Sequence, residues 1–538
     1  MTPVAHSPVV LLDGTAQLPR EILGNKGYGI NAMRRHGLPV PPAFCITTDV
    51  CAQWFNEPYA TIDRLQGALR ENIARLEYET SRMFGRGPDP LLVSVRSGAP
   101  LSMPGMMDTV LNLGMNDAVE HALANTFSET FARDTRARFF DMYRRIVLGD
   151  DTSAVPDDPY VQLCGAIEAV FASWKSPRAE TYRKHHGHHD LSGTAVVVQA
   201  MVFGNMDSKS GTGVLFSRNP MTGADEPFGE WLPRGQGEDV VSGTCDAQPI
   251  SALADAQPDV YRELMAAART LERLDTDVQD IEYTVENGRL WLLQTRAAKR
   301  SAQAAVRLAL TLRKEGLVDD LEALRRVSPA HVESLLLPSL QPETRLAAPL
   351  LAKGLAACPG VVSGKAYIDV DDAIDAAEGG EDVILVRGAT SPDDVHGMIA
   401  ALGIVTEIGG ATSHAAVVSR ELGRPSVVGC GTGIAEVLAG KLITVDGTEG
   451  EVRAGALELT AWSMDNSADL AELAKIAFVA APLRAHAEGD YPPLDTGSDS
   501  AVRAALAAGH TDVLSATPLI TMLTAVRLMD GKNQETRP

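Results

Sequence analysis

The chain has no C-x-x-C pair, no run of 18 apolar residues, no basic-then-apolar leader at its start and no internal repeat. Each absence removes a class of protein. Its six cysteines, Cys45, Cys51, Cys164, Cys245, Cys358 and Cys430, are scattered, which argues against a disulfide framework or a zinc site and fits a reducing compartment. Without an apolar span or a leader, the sequence reads as soluble and cytoplasmic, with no membrane partner. Positive charge is also scarce. Lys and Arg number 48 against 70 Asp and Glu, a formal net charge of -22. Nucleic acid binding needs a basic surface to meet its phosphates, so no nucleic-acid partner is expected, although a local basic pocket for a nucleotide stays open.

At 538 residues, 45% of them hydrophobic, the chain has enough material for three or four domains with cores of their own. Patterning suggests mixed α+β and α/β architecture. Residues 1–300 alternate strand-like runs such as "LLVSVRSG" and "GTAVVVQAMVFGN" with helices, and carry a helical lobe at about 115–190. Residues 301–348 read as a helical linker punctuated by prolines. Residues 349–458 form a compact α/β domain, and residues 459–538 a short, mainly helical tail.

Three stretches carry chemistry. In "GGATSHAAVVSRELGRPSVVG" (409–429), Gly409 and Gly410 allow a sharp turn and Thr412 or Ser413 caps a helix that ends before Gly423 and Pro425. His414 therefore stands at a helix N-terminus, where free amides and the helix dipole favour an anion, and a neutral imidazole there can hold a phosphoryl group. "LGNKGYG" sets Lys26 in a glycine-bounded turn before a helix, a place for phosphates. In "DVQDIEYTVENGRLWLLQTR", strand alternation puts Asp280 and Glu282 on one face and Gln294 and Arg296 on one face of a second strand, joined through an Asn287-Gly288 turn. Carboxylates and an amide in one patch suit Mg²⁺ bound to nucleotide phosphates, with Arg296 offsetting charge. "HHGHHD" (185–190) reads as an exposed polar patch more readily than as a metal site.

Taken in order, "GNKGYGINAM", "SVRSGAPLSMPGMMDTVLNLG", "RGQGEDVVSGT", "QDIEYTVENGRLWLLQTR", "ILVRGATSPDDVHGM" and "GGATSHAAVVSRELGRPSVVGCG" closely resemble the pyruvate, phosphate dikinase family of PEP-utilising enzymes, over roughly residues 20–455. The resemblance implies an ATP-grasp-like nucleotide-binding domain, a helical linker and a swivelling phosphohistidine domain. It implies that Lys26, Arg96, Asp280, Glu282, Gln294 and Arg296 hold ATP, that Glu282 and Gln294 hold Mg²⁺, that the backbone near Gln199 to Val202 is an adenine hinge, and that His414 is the phosphorylated residue. Thr412 falls on a regulatory threonine of some members. A helix motif usually rich in Tyr-Arg-Arg reads Arg136-Ala137-Arg138, leaving the role of Arg138 open.

The family continues into a barrel that binds pyruvate or phosphoenolpyruvate and needs about 250 residues. Here the sequence leads us to expect a truncated form in which "LRAHAEG" is a barrel remnant, with Arg484 at a substrate-arginine position. The implied function is the nucleotide half-reaction, ATP and inorganic phosphate going to AMP, pyrophosphate and a phosphohistidine enzyme. Onward transfer would need a separate PEP- or pyruvate-binding protein, and the resemblance also implies a homodimer. A non-catalytic nucleotide-binding relic and a phosphotransferase for another small molecule stay open as alternatives.

Overall fold

The computed structural model describes residues 6–100, 103, 106–150, 152–177, 179–180, 183, 191, 193–241, 247–336, 339–391, 394–409, 413–461, 463–494 and 496–535. They divide into two compact units: Met1–Arg218 with Asp225–Lys299, and Asn219–Ala224 with Arg300–Pro538.

The first unit holds two antiparallel sheets. One has the strand order Val9–Leu11, Ala43–Ile46, Ala195–Ala200, Val93–Gly98, Thr109–Leu113. Its side chains alternate between two cores, as the two-residue period of a strand requires. Phe44, Ile46, Val93, Val95, Val196 and Val198 pack with the helices Pro58–Thr80, Glu129–Tyr143 and Pro159–Ser173. Cys45, Ala195 and Val197 point the other way, toward Leu23, Ile30 and Met33 of the helix Arg20–Arg35. The lobe helices begin where the sequence offers caps: Asn116 accepts from the amide of Val119 (2.9 Å), Ser128 from Phe131 (3.1 Å) and Asp158 from Tyr160 (2.7 Å). The second sheet has the order Gln248–Pro249, Phe228–Pro233, Gly211–Phe216, Gln279–Glu286, Arg289–Ala297. Its last two strands are joined at Asn287 and Gly288, both at positive φ (48° and 77°), the geometry of a tight hairpin turn.

In the second unit the stretch 219–224 is pinned to the helix Ala302–Lys314, so the unit boundary departs from a single 1–300 block. Ser301 donates its amide to Pro220 O (2.9 Å) and its hydroxyl to Met221 O (2.6 Å), and Arg307 donates to Thr222 O (3.1 Å). An eight-stranded sheet follows, ordered Leu350–Lys353, Glu451–Ala454, Leu442–Asp446, Val361–Tyr367, Val383–Arg387, Gly403–Thr406, Ser426–Val428, Leu355–Cys358. The four strands from Val361 to Val428 in that order are mutually parallel. The two edge strands are consecutive in the chain, separated by Gly354, where an added Cβ would fall 2.5 Å from Val428 O.

Residues 459–535 are mainly helical, but the expectation of a small appendage needs correction. Strands Arg484–His486 and Asp512–Leu514 pair in parallel around the helix Asp499–Ala507. The final helix, Pro518–Glu535, buries Leu519, Ile520, Met522, Leu523, Ala525 and Val526. A helix apolar on nearly every side belongs inside a core. Here that core is shared with Val306, Ala309, Leu324, Val332 and Leu335 of the helical stretch 302–336. No helix among the described residues is long and apolar enough to cross a membrane.

Candidate functional site

The two sheets of the first unit enclose a cavity of about 440 Å³, and the structure brings Lys26, Arg96, Asp280, Glu282, Gln294 and Arg296 together on its wall. Lys26 gets there through a break. Gly24 has φ 67° and ψ 168° inside the helix Arg20–Arg35, so Lys26 lies in the turn that restarts the helix, and Asn25 N bonds Ala99 O (2.9 Å). A Cβ on Gly24 would sit 1.6 Å from Gly98 O. Gly24→Ala is therefore expected to destabilise the chain by more than ~3 kcal/mol and to displace Lys26, measured as a fall in Tm.

Arg96 is the hub of the wall. It donates to Glu282 Oε2 (3.0 Å), Gln294 Oε1 (3.2 Å) and Gln199 Oε1 (3.4 Å), while Gln199 Nε2 donates to Pro41 O (3.3 Å). Across the hairpin Asp280 pairs with Arg296 in register, and their side chains meet at 2.7 Å. Burial raises the Asp280 carboxyl against the opposing pull of Arg296, and its Oδ1 is buried with no hydrogen-bond partner. Burial also pulls the Lys26 ammonium down to about 7, helped by Arg96 and Arg296 and opposed by Glu282. Lys26, Arg96 and Arg296 give the cavity three cationic groups that can meet an anion, set beside the carboxylates of Asp280, Glu282 and Glu238.

Near Gln199 to Val202 the amides of Ala200 and Met201 bond Pro42 O and Leu92 O, both at 2.9 Å. Val202 N–H makes no protein hydrogen bond among the described residues, and Val202 lines the cavity.

In the second unit His414 opens the helix His414–Leu422 and is half-buried. Of the two capping options, Ser413 Oγ accepts from Ala416 N at 3.4 Å; Thr412 lies outside the described residues, as does 185–190. Ala415 and Ala416 pack on Ala357 and Val428, which seats the helix on the sheet. Gly409, at φ 137°, makes the turn before it. Thr390 Oγ1 lies 3.1 Å from His414 Nδ1 and so orients the ring through that nitrogen. Thr390 was missed by sequence reasoning, although "GATSPDD" around it already belonged to a quoted motif.

Arg138 was the open position, and it joins distant segments. It donates to Asp134 (2.9 Å), Glu238 (2.6 Å) and Asp239 (2.8 Å). Gln236, Gly237, Glu238 and Val240 line the cavity, so Arg138 fixes one of its walls. Among the described residues no group of three or more His, Cys, Asp or Glu forms a metal site by itself. The donors that do converge, Asp280 with its unpartnered oxygen, Glu282 and Gln294, are hard oxygen ligands of the kind a Mg²⁺ ion accepts.

Comparison with known proteins falls on both units. Residues 60–261 match the family model "Pyruvate phosphate dikinase, AMP/ATP-binding domain", and residues 379–450, which include His414, match "PEP-utilising enzyme, mobile domain". Together they place the chain in the class of PEP-utilising enzymes. Pyruvate, phosphate dikinase of Rhizobium meliloti (strain 1021) is 41% identical over 515 residues, 83% of this chain and 57% of its own length. The Clostridium symbiosum enzyme of that name is 40% identical, over 85% of this chain and 58% of its own, and pyruvate, phosphate dikinase 2 of Zea mays 41%, over 80% and 54%. The chain belongs to the pyruvate, phosphate dikinase family, and it spans a little over half the length of these relatives.

Proposed function

We propose that this chain carries out the nucleotide half of dikinase chemistry: the β-phosphoryl group of ATP ends on His414, AMP leaves, and inorganic phosphate takes the γ-phosphoryl as pyrophosphate. The observation that carries the reading is the convergence of Lys26, Arg96 and Arg296 with Asp280, Glu282 and Gln294 around one cavity. In this reading the first unit is an ATP-grasp-like domain. The three cations bind and orient the triphosphate, and Val202 presents its amide to the base. Glu282 and Gln294, with Asp280 beside them, would hold Mg²⁺, which offsets charge on the phosphates when bound. Arg96 is already aimed by Glu282, Gln294 and Gln199, so little reorganisation is needed when phosphate charge arrives.

His414 supplies the nucleophile. With its Nδ1 proton held on Thr390 Oγ1, the Nε2 lone pair attacks phosphorus, and the N-terminal amides of its helix stabilise the phosphate that results. In this reading the histidine-bearing domain is a mobile carrier, a role that the family model's word "mobile" supports. The final acceptor, pyruvate or another small molecule, is then bound elsewhere.

The test is incubation with ATP labelled at the β-phosphorus, Mg²⁺ and inorganic phosphate. Acid-labile label on protein with matching release of AMP is expected. Measurable ATP binding with neither label nor AMP would favour a nucleotide-binding protein without turnover.

A further inference from the structure

Thr390 reaches His414 from a loop, and a contact made from a loop lasts only if the loop is fixed. This one leaves the strand Val383–Arg387 and ends at the helix Val395–Ala400. Asp394, 4% exposed, closes it. Its Oδ2 accepts from Ser391 N (2.6 Å) and Ser391 Oγ (2.9 Å), while its Oδ1 pairs with Arg387 Nε (3.1 Å). One carboxylate thereby holds the last residue of the strand and the residue directly after Thr390. Burial pushes that carboxyl up, but the amide and hydroxyl of Ser391 and the Arg387 guanidinium outweigh it and hold the group below the ordinary aspartate value, as a carboxylate at neutral pH.

A helix cap explains only half of this arrangement. In a Ser-x-x-Asp start the carboxylate reaches back to the amide that opens the helix, which uses the oxygen facing Ser391. The other oxygen goes to Arg387, outside the helix, and Arg387 Nη1 donates in turn to Ile368 O (2.6 Å). The base of the loop is stitched as well: Glu407 N and Ile408 N donate to Arg387 O and Gly388 O, both at 3.0 Å. Glu407 and Ile408 lie on the segment that leads through Gly409 to His414. Glu407 is itself tied down, its Oε1 accepting from Ala435 N (2.9 Å) and its carbonyl from Gly431 N (2.9 Å). Thr390 and His414 therefore rise from neighbouring strand ends joined at their bases, and Asp394 ties off the far end of the span that carries Thr390.

We infer that Asp394 is a positioning residue for His414: by holding Arg387 and Ser391 it keeps Thr390 Oγ1 on the imidazole Nδ1 and so sets the ring for phosphoryl transfer. This rests on the reading of His414 as the phosphoryl carrier given above. Bonds to a buried carboxylate are stronger than neutral ones, and the partner of one imidazole nitrogen decides how the other is presented. None of Arg387, Thr390 and Asp394 lines the cavity of the first unit, so a change here leaves the proposed nucleotide contacts in place.

The experiment is a double-mutant cycle on the full chain, Asp394→Asn with Thr390→Val. The asparagine keeps an oxygen for Ser391 and gives up the charge that Arg387 needs. Two readouts are taken: the rate of acid-labile labelling from ATP labelled at the β-phosphorus, and the ring signals of His414 in ¹⁵N-histidine-labelled protein without ATP. Each single change is expected to slow labelling about 10–100-fold with ATP affinity retained, and the double variant should be no slower than the slower single one, because both act through one contact. The His414 ring signals should shift in both single variants, and Asp394→Asn should shift them no further once Thr390 is valine. Labelling by Asp394→Asn within about threefold of wild type, or a double variant slowed by the product of the two single effects, would overturn the inference and leave Asp394 a helix cap. If Asp394→Asn does not fold, Arg387→Gln cuts the same tie from its partly exposed end, with the same outcomes expected and excluded. A wild type that binds ATP but takes no label sinks the carrier reading instead, and the ring signals then decide the positioning role: unchanged signals in Asp394→Asn would end it.

Discussion

A His414→Ala chain is expected to bind ATP with the affinity of the wild type and to incorporate no acid-labile phosphate, a loss of at least ~10³-fold in labelling rate, as removal of a nucleophile generally produces. His414 belongs to one compact unit and the cavity lining to the other, so the substitution removes none of the residues proposed to hold nucleotide. The substitution is also mild locally. His414 is half-buried, its side chain makes one hydrogen bond among the described residues, to Thr390, and alanine is a good residue in the first turn of a helix still capped by Ser413. Stability should change by less than ~1 kcal/mol. Two measurements decide it: label retained on protein after gel filtration, and AMP formed per chain. Label that persists in His414→Ala would place the carrier on another residue; loss of both label and ATP binding would mean that the substitution had damaged more than a nucleophile.

Lys26 gives the second large effect, and its sign can be worked out. In the free protein desolvation of the ammonium pulls it down to about 7, helped by Arg96 and Arg296, with Glu282 pulling the other way. Phosphate oxygens favour the charged form, so the bound state holds the proton to a higher pH. Below pH 7 the group is charged whether or not ligand is present, and affinity is at its plateau. Above pH 7 the free protein has lost the proton and must take it up again on binding. ATP affinity therefore falls up to tenfold per pH unit upward from 7, levelling off at the pKa of the complex. Calorimetry at pH 8.5 in two buffers of different ionisation enthalpy should show uptake approaching one proton, absent in Lys26→Met. A flat affinity profile from pH 7 to 9 would contradict the assignment.

The same depression acts on folding in the opposite direction. Between pH 7 and the ordinary lysine value of 10.5 the unfolded chain holds more protons, so stability of the free protein rises with pH across that window. Below pH 7 the full penalty for burying the charge is felt, roughly 5 kcal/mol if the whole shift is effective. Lys26→Met should accordingly raise Tm at pH 6 and have little influence at pH 10, while removing tight ATP binding at every pH.

How much of this could be read from residues alone follows sequence distance. The hairpin set was legible because everything that places it is local: a period of two fixes which side chains share a face, and Asn287-Gly288 fixes the return. Asp280 opposite Arg296 and Glu282 opposite Gln294 then follow, although a register shift between Glu282 and Tyr283 could not be foreseen. Lys26 was legible as a residue in a glycine-bounded turn. That Gly24 rather than Gly27 carries the strain depends on Gly98, more than seventy residues away. Arg138 with Glu238, Gln199 with Arg96 and Thr390 with His414 join segments that no local pattern connects. The C-terminal stretch misled for the same reason. Its helices carry ordinary amphipathic or apolar patterns, and the surface they cover lies on helices some 150 residues earlier.

That shared core has a consequence for synthesis. The helices at 302–336 leave the ribosome well before the residues that bury them, Leu470 to Leu528, have been made. Between the two comes a sheet domain with cores of its own, free to fold during the interval. The sheet domain can therefore complete its cores while the early helices, already synthesised, still have their apolar faces uncovered in the nascent chain.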